Sequence, residues 1–268
     1  MAIEPQGIYL YGFAQAARLP LLKVVGIDER YPVSQLHYRD IAAVTSKVMI
    51  ADFSGPSAET NFKDLTWMGP RACRHQEVVD VVMRHSPTLP ARFGTIFSSS
   101  QRMVELCMRH YDTIVRFLNE VDNKTEWALK GFLDRTQTRK TLNTDILADE
   151  KESFASLSPG KQYFMQKQMA ANAEKQLNQK LKAILTAIWD DLGSHAADSH
   201  ERKVLSRDST GLEMDMVLNW AFLLAANSHQ NFQECLNRIQ AAHTKYGLSF
   251  ELTGPWPPYS FCPILEMA

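Results

Sequence analysis

The sequence of 268 residues has no long apolar run and no excess of charge of either sign. The longest uninterrupted hydrophobic stretch of its second half, Trp220 to Ala226, covers seven residues, whereas a membrane-spanning helix needs ~20. Its 29 Lys and Arg residues balance 30 Asp and Glu, which leaves a formal charge of -1. Phosphate backbones attract proteins with a basic excess, so we expect neither a membrane span nor a nucleic-acid partner.

Paired cysteine motifs and secretion signals are also missing. The four cysteines lie far apart and form no CxxC, which argues against a disulfide framework and against a zinc site. Glu4 and Pro5 stand where a signal peptide would carry positive charge followed by an apolar run. We therefore expect a cytoplasmic protein whose thiols stay reduced.

Catalytic and cofactor motifs are equally scarce. The sequence contains no P-loop, no GxGxxG, no GxSxG and no HExxH. Only the polar segment SHAADSHER, with His195 and His200, offers a metal-ligand spacing, and we interpret it as a solvated turn because a metal site needs further ligands. We predict no catalytic residues, no metal and no organic cofactor.

The composition, 45% hydrophobic and 22% charged, is that of a globular protein, and the length favours two domains. Residues 1–122 read as an α+β domain that begins with three or four strands. Helices follow, the first opened by Pro70, with an extended piece between them. The strands are expected at Gly7–Phe13, Leu22–Ile27, Val33–Tyr38 and Ile41–Met49, the later extended piece at Leu89–Phe97, and the last helix at Gln101–Val121.

Residues 123–268 read as a second α+β domain with the order βαββαβ, that of the ferredoxin-like fold. A helical extension, about residues 136–195, is inserted after its first strand, and its polar first half predicts that it projects from the body. Met214–Ala226 suits a strand or a helix, and the strand fits the order better. The strands are expected at residues 126–132, Arg202–Arg207, Met214–Ala226 and Leu248–Leu252, and the second helix at Gln230–Tyr246.

The last segment, residues 253–268, is rich in proline and aromatic residues. Its prolines force an extended path, and its aromatic rings either cover the chain's own core or domain boundary, or dock another protein. Arg92 stands between Pro90 and Phe93, so we predict that it is partly buried and paired near the domain junction. The candidate partner contacts or domain clamps are Arg92, Phe93, Pro255, Trp256, Pro257, Pro258, Tyr259 and Phe261.

Five segments together resemble the gas vesicle protein F/L family over nearly the whole chain. They are YLYGF at Tyr9–Phe13, DIAAVTS at Asp40–Ser46, LPARFGTIF at Leu89–Phe97, EWALKGFLD at Glu126–Asp134 and TGPWPPYSF at Thr253–Phe261. The chain differs from the commoner His-Glu form of one helix by placing Gln76 between His75 and Glu77.

The resemblance implies two α+β domains, the second ferredoxin-like with inserted helices, and no enzymatic activity. It also implies an accessory or minor structural component of gas vesicles, the gas-filled shells that give prokaryotes buoyancy. Such a protein would bind the hydrophobic shell protein and other accessory proteins, assist nucleation and limit aggregation, at the gas vesicle within the cytoplasm. The alternative is a small-molecule-binding or enzymatic ferredoxin-like protein, since a fold alone does not assign function.

Overall fold

The computed structural model describes residues 5–138, 141, 175 and 178–266. Their contacts form two compact units, one of residues 1–126 with 255–268 and one of residues 127–254. The proline-rich tail thus belongs to the first unit, whereas the sequence-based division at residue 123 had placed it with the second domain. Much of the helical extension predicted at about residues 136–195 lies outside the described residues.

The first unit is built on an antiparallel sheet with the strand order β2-β3-β1-β4, in which β5 also pairs with β1. Its long central strands β1 and β3 are rich in β-branched and aromatic residues, which favour the extended backbone. The strands are β1 (Gln6–Gln15), β2 (Ser34–Tyr38), β3 (Ile41–Met49), β4 (Thr88–Pro90) and β5 (Ile96–Phe97). The predicted strand at Leu22–Ile27 is wrong, because this segment contributes a single bridge, Val25 to Pro32.

Five helices are described in the first unit, and two of them correct the sequence-based prediction. They are α1 (Ile50–Phe53), α2 (Pro56–Asn61), α3 (Leu65–Met83), α4 (Ser100–Arg109) and α5 (Tyr111–Glu120). Helix α3 begins five residues before Pro70, because the Asp64 side chain caps it by accepting a hydrogen bond from the Thr66 N–H at 2.8 Å. The single helix expected at Gln101–Val121 is broken at His110, whose backbone leaves helical geometry.

The second unit contains a four-stranded sheet with the order β7-β8-β6-β9. The strands are β6 (Lys124–Leu133), β7 (Asp198–Glu201), β8 (Asp215–Ala225) and β9 (Leu248–Trp256). Apolar side chains of helix His229–His243 and of the helix at residues 178–193, among them Phe232 and Leu192, are buried with Phe222 of β8 in one core cluster. The strand preferred for Met214–Ala226 is confirmed by β8.

The strand predicted at Arg202–Arg207 is wrong. It lies earlier, at Asp198–Glu201, inside the segment that had been interpreted as a solvated turn, and it pairs with residues 220–223 of β8. Strand β7 stands at the end of the described strand order, so its backbone pairs with a neighbouring strand, β8, on one side. The strand therefore forms through backbone hydrogen bonds although its residues, His200 among them, are polar. A polar outer strand of this kind carries no alternating pattern from which it could be predicted. None of the helices among the described residues is long and apolar enough to span a membrane.

Candidate functional site

A buried histidine, His75, stands at the centre of a polar network in the first unit. It shares the buried face of α3 with Val78, Val79 and Val82, at the spacing that places residues on one side of a helix. Only 3% of His75 is exposed, and its ring stacks on Tyr11 at a centroid distance of 5.6 Å. Tyr9 approaches the same ring edge-on at 5.7 Å. The sheet thus supplies the aromatic surroundings of this imidazole.

Hydrogen bonds fix the protonation pattern of this network. The His75 Nε2 lies 3.2 Å from the Ala91 carbonyl oxygen, which can only accept, so Nε2 carries the proton. Nδ1 then accepts from the Tyr9 hydroxyl at 2.9 Å, and the Tyr9 oxygen accepts from the Gly94 N–H at 3.0 Å. The imidazole thereby joins α3 to β1 and to the loop after β4.

The C-terminal tail binds to this network and to a buried carboxylate. The Tyr259 hydroxyl lies 3.2 Å from His75 Nε2. Ser260 donates two hydrogen bonds to Glu126, from its N–H at 2.8 Å and from its hydroxyl at 3.0 Å. Glu126 is only 2% exposed, so these two hydrogen bonds offset the free-energy cost of burying its side chain. Cys262 continues the tail along β4, with its Sγ 3.8 Å from the Pro90 carbonyl oxygen.

Burial holds the titratable members of the network neutral. It lowers the pKa of His75 to about 4 and raises the pKa of Tyr11 to about 12. Burial also raises the pKa of Tyr9 and of Tyr259, and it raises the pKa of the Cys262 thiol to about 12. Proton transfer near pH 7 needs a pKa near 7, so this arrangement holds the tail in place and is unsuited to acid–base chemistry.

The predicted contact residues fall into three groups. Pro257 and Pro258 are buried and Tyr259 and Phe261 are partly buried, as members of the attached tail. Pro255 and Trp256 are exposed, Trp256 by 42%. Phe93 packs edge-on against His75 and Phe62, with ring centroids 6.0 Å away in both cases.

The prediction that Arg92 is partly buried and paired near the domain junction is wrong. Its side chain is exposed, and no carboxylate or carbonyl among the described residues binds its guanidinium. The backbone explains the difference, because the Arg92 carbonyl accepts from both the N–H and the hydroxyl of Thr95, at 3.2 and 2.7 Å. This turn directs the chain from β4 to β5 without using the arginine side chain.

Sequence reasoning missed His75, Tyr9 and Glu126. His75 shares one helix face with Val78, Val79 and Val82, and this apolar stripe was the available signal for a buried histidine. Tyr9 lies on the central strand, where an aromatic residue is expected for packing alone. Glu126 precedes Trp127 at a strand start, and nothing in its neighbours indicates that a distant serine will bind it.

Two neighbouring grooves open on the surface of the first unit. One, of about 490 Å³, lies between the tail and the β1–β4 edge, and its lining includes Leu10, Phe13 and Leu89. The other, of about 620 Å³, is lined by Phe53, Phe93 and the β5 segment. The two grooves share Thr95 and Leu106 and are named the double groove below. Within the described ranges no three His, Cys, Asp or Glu side chains come together as a metal site would require.

Comparisons with known proteins identify the family. The family model described as gas vesicle synthesis protein GvpL/GvpF matches residues 7–263, and the chain therefore belongs to this family. Gas vesicle protein L from Streptomyces sp. is 25% identical over 235 residues, which cover 88% of this chain and 85% of that protein. Gas vesicle protein F1 from Halobacterium salinarum is 21% identical over 264 residues, covering 97% and 94% of the two chains.

The fold is also that of a solved structure. The crystal structure of the gas vesicle protein GvpF from Anabaena sp. matches with a TM-score of 0.67 and 18% identity, over 98% of both chains. The resemblance drawn from the five sequence segments is thus confirmed, together with the mixed fold of two antiparallel sheets. A gas vesicle-related role follows from the family, which is not known for enzymatic activity.

Proposed function

We propose that this protein binds the main gas vesicle shell protein and keeps it from aggregating while a vesicle is nucleated. Binding is non-covalent and involves no turnover. The observation that carries the proposal is the family match over residues 7–263, in relatives named as gas vesicle proteins. Other accessory proteins of the vesicle are its further partners, and its place is the gas vesicle within the cytoplasm, where it serves buoyancy as an assembly or minor structural protein.

The physical argument starts from the shell. A shell that excludes water needs subunits with a strongly apolar face, and such subunits aggregate before they assemble. A protein that covers this face early, through apolar surface of its own, separates assembly from aggregation. Exposed Trp256 is the candidate contact in the tail, since Pro257 and Pro258 are buried and hold the tail in position.

We also propose that the second unit is ferredoxin-like. Counted within the unit, its strands stand in the order 2-3-1-4, which is the order of a split βαβ sheet. We propose in addition that the boundary between the two domains lies at residues 122 and 123. The tail is then the segment of the chain that returns to the first unit.

The test mixes the purified shell protein with this protein and follows light scattering and co-precipitation. We expect the wild-type protein to suppress scattering and Trp256→Ala to suppress it less, because the variant removes a large exposed apolar side chain. Leu65→Ala is the matched control, since Leu65 is also exposed and is the first residue of α3, ten residues before His75. Unchanged scattering with the wild-type protein, together with no co-precipitation, would remove the shell-binding proposal.

Salt distinguishes apolar from long-range electrostatic binding in the same assay. Raising the salt from about 0.1 to about 1 M shortens the Debye length from about 10 to about 3 Å. With 29 positive against 30 negative groups, the chain has little net field to steer a partner. We therefore expect only a slight loss of affinity.

A further inference from the structure

The double groove combines an apolar floor with uncompensated positive charge. Its two parts have volumes of about 490 and 620 Å³, within the range of ~300–1,000 Å³ typical of ligand pockets. The accessible apolar surface of this floor comes from partly buried side chains, including Phe93, Ile96 and Leu265. At the tail side the edge carries Ile264, which is 88% exposed. Apolar surface of this kind gains free energy when a partner covers it.

Four charged residues line the double groove. Arg92 lines the part beside the tail, and Arg102, Glu105 and Arg109 line the other part. Arg102 pairs with Glu105 at 3.5 Å. Arg92 and Arg109 are exposed, and within the part of the chain that the structure describes neither has a carboxylate partner. The groove is therefore locally positive in a chain whose formal charge is -1.

We propose that the double groove docks an apolar segment of the shell protein that carries two acidic side chains, which bind Arg92 and Arg109. This inference rests on the proposed function and names the site and the chemistry of recognition. A protein segment fits better than a lipid or a fatty acid, because the two arginines line different parts of the groove. A single anionic headgroup can satisfy one of them, whereas a chain can place two carboxylates at a fixed spacing.

The two kinds of contact have different consequences. Covering the apolar floor supplies most of the affinity, whereas exposed ion pairs each contribute little and select the partner's charge. Reversing one arginine removes an attraction and adds a repulsion. We therefore expect each charge reversal to weaken binding by ~10-fold or less, and an acid placed among the apolar contacts to weaken it at least as much.

The experiment uses the full chain and two probes. The first is the purified shell protein, followed by co-precipitation. The second is a fluorescent peptide of Leu and Ile residues with two Glu, compared by anisotropy with the same peptide carrying Lys in their place. The variants are Arg92→Glu, Arg109→Glu and Ile264→Asp. The matched controls are Arg116→Glu and Leu21→Asp, because Arg116 is an exposed arginine and Leu21 a 78% exposed apolar residue that line neither groove.

We expect the Glu peptide to bind more tightly than the Lys peptide, the three groove variants to lose affinity for both the peptide and the shell protein, and the two controls to bind like the wild type. All five positions are exposed, and circular dichroism confirms that each variant is folded. Equal binding of the two peptides, or groove variants that bind shell protein normally, would overturn the groove while leaving shell binding intact. Peptide preference for Glu without any shell binding would instead overturn the proposed function.

Two further outcomes would replace the occupant. The groove would be assigned to a lipid if the wild-type protein bound anionic lipid vesicles, Arg92→Glu did not bind them, and neither peptide bound. Self-association that Ile264→Asp abolishes, measured by sedimentation, would assign it to a second copy of this chain. Either result would contradict the docking of a shell-protein segment.

Discussion

At the scale of single residues, His75 couples the stability of the first unit to pH. Burial lowers its pKa to about 4, whereas an unfolded histidine titrates at 6.5. Between these two values the unfolded chain binds a proton that the folded chain does not, so stability falls as the pH drops from about 6.5 to about 4. At ~1.4 kcal/mol per pKa unit, the loss is on the order of 3 kcal/mol.

His75→Gln tests this coupling, because glutamine can donate to the Ala91 carbonyl and accept from the Tyr9 hydroxyl but does not titrate. As the pH falls, we expect the unfolding free energy of both proteins to decrease because their carboxylates become protonated. Below pH 6.5 the wild type should lose additional unfolding free energy, because only it contains the histidine. The measurement is urea unfolding at a series of pH values. Parallel curves for the two proteins would show that His75 is not the buried neutral group described.

At the scale of secondary-structure elements, Gly12 fixes how closely β1 and β4 approach. A Cβ added at Gly12 would stand 2.6 Å from the Leu89 carbonyl oxygen, a backbone atom that cannot rotate away. The register of β1 against β3 also shifts between Leu10 and Gly12. Gly12→Ala must therefore push β4 away from β1, and we expect a loss of ~1–3 kcal/mol in unfolding free energy.

Gly193→Ala is the control for Gly12→Ala. Apart from its chain neighbours and its own helix backbone, no atom of the described residues lies within 4 Å of a Cβ added at Gly193, and alanine is the better helix former. We expect it to leave the unfolding free energy unchanged or to raise it by up to ~1 kcal/mol. Equal destabilisation by the two substitutions in urea unfolding would show that steric contact with β4 is not the cause.

The same elements show how far the sequence determines the fold. Local patterns predicted β1, β3 and helix His229–His243. Strand β8 followed from the order of the elements, because its own residues suit a strand or a helix. Strand β7 could not be predicted, because backbone pairing to β8 forms it and its side chains are polar and largely exposed. The strand predicted at Leu22–Ile27 was wrong for the opposite reason. Its apolar residues pack into the core, but the backbone is irregular and forms a single isolated β-bridge.

At the scale of the whole molecule, the chain leaves the first unit near Glu126 and returns to it at Pro255. The prolines of the tail predicted an extended path, which β9 follows as far as Trp256, whereas Tyr259–Phe261 form a short 3₁₀ helix. Which surface the tail covers could not be predicted, because the partners of Tyr259 and Ser260 lie 184 and 134 residues away in the chain. Arg92 was expected to need a partner because it stands between Pro90 and Phe93. The backbone turn that Thr95 closes there leaves its side chain exposed.

This topology predicts that the tail stabilises the first unit and leaves the second unaffected. A variant that ends at Trp256 retains all of β9 and loses the tail's hydrogen bonds to the first unit. They include the contact between the Tyr259 hydroxyl and His75 Nε2, the two bonds from Ser260 to Glu126, and the contacts of Cys262 with Pro90 and of Glu266 with His110. At ~1 kcal/mol for each of the three bonds to His75 and Glu126, the opening equilibrium of the first unit should rise by at least ~100-fold. Hydrogen exchange should therefore quicken in α3 and in the loop from Ala91 to Gly94, while helix His229–His243 exchanges as before.

Trp256→Ala is the comparison for this truncation, since it keeps the hydrogen bonds of Tyr259 and Ser260 and removes a ring that is 42% exposed. Its exchange pattern should match that of the wild type in both units. If the truncated chain exchanged like the wild type in α3, the tail would contribute nothing to the first unit. If both units loosened together, the two would share one cooperative transition, because the deleted tail belongs to the first unit.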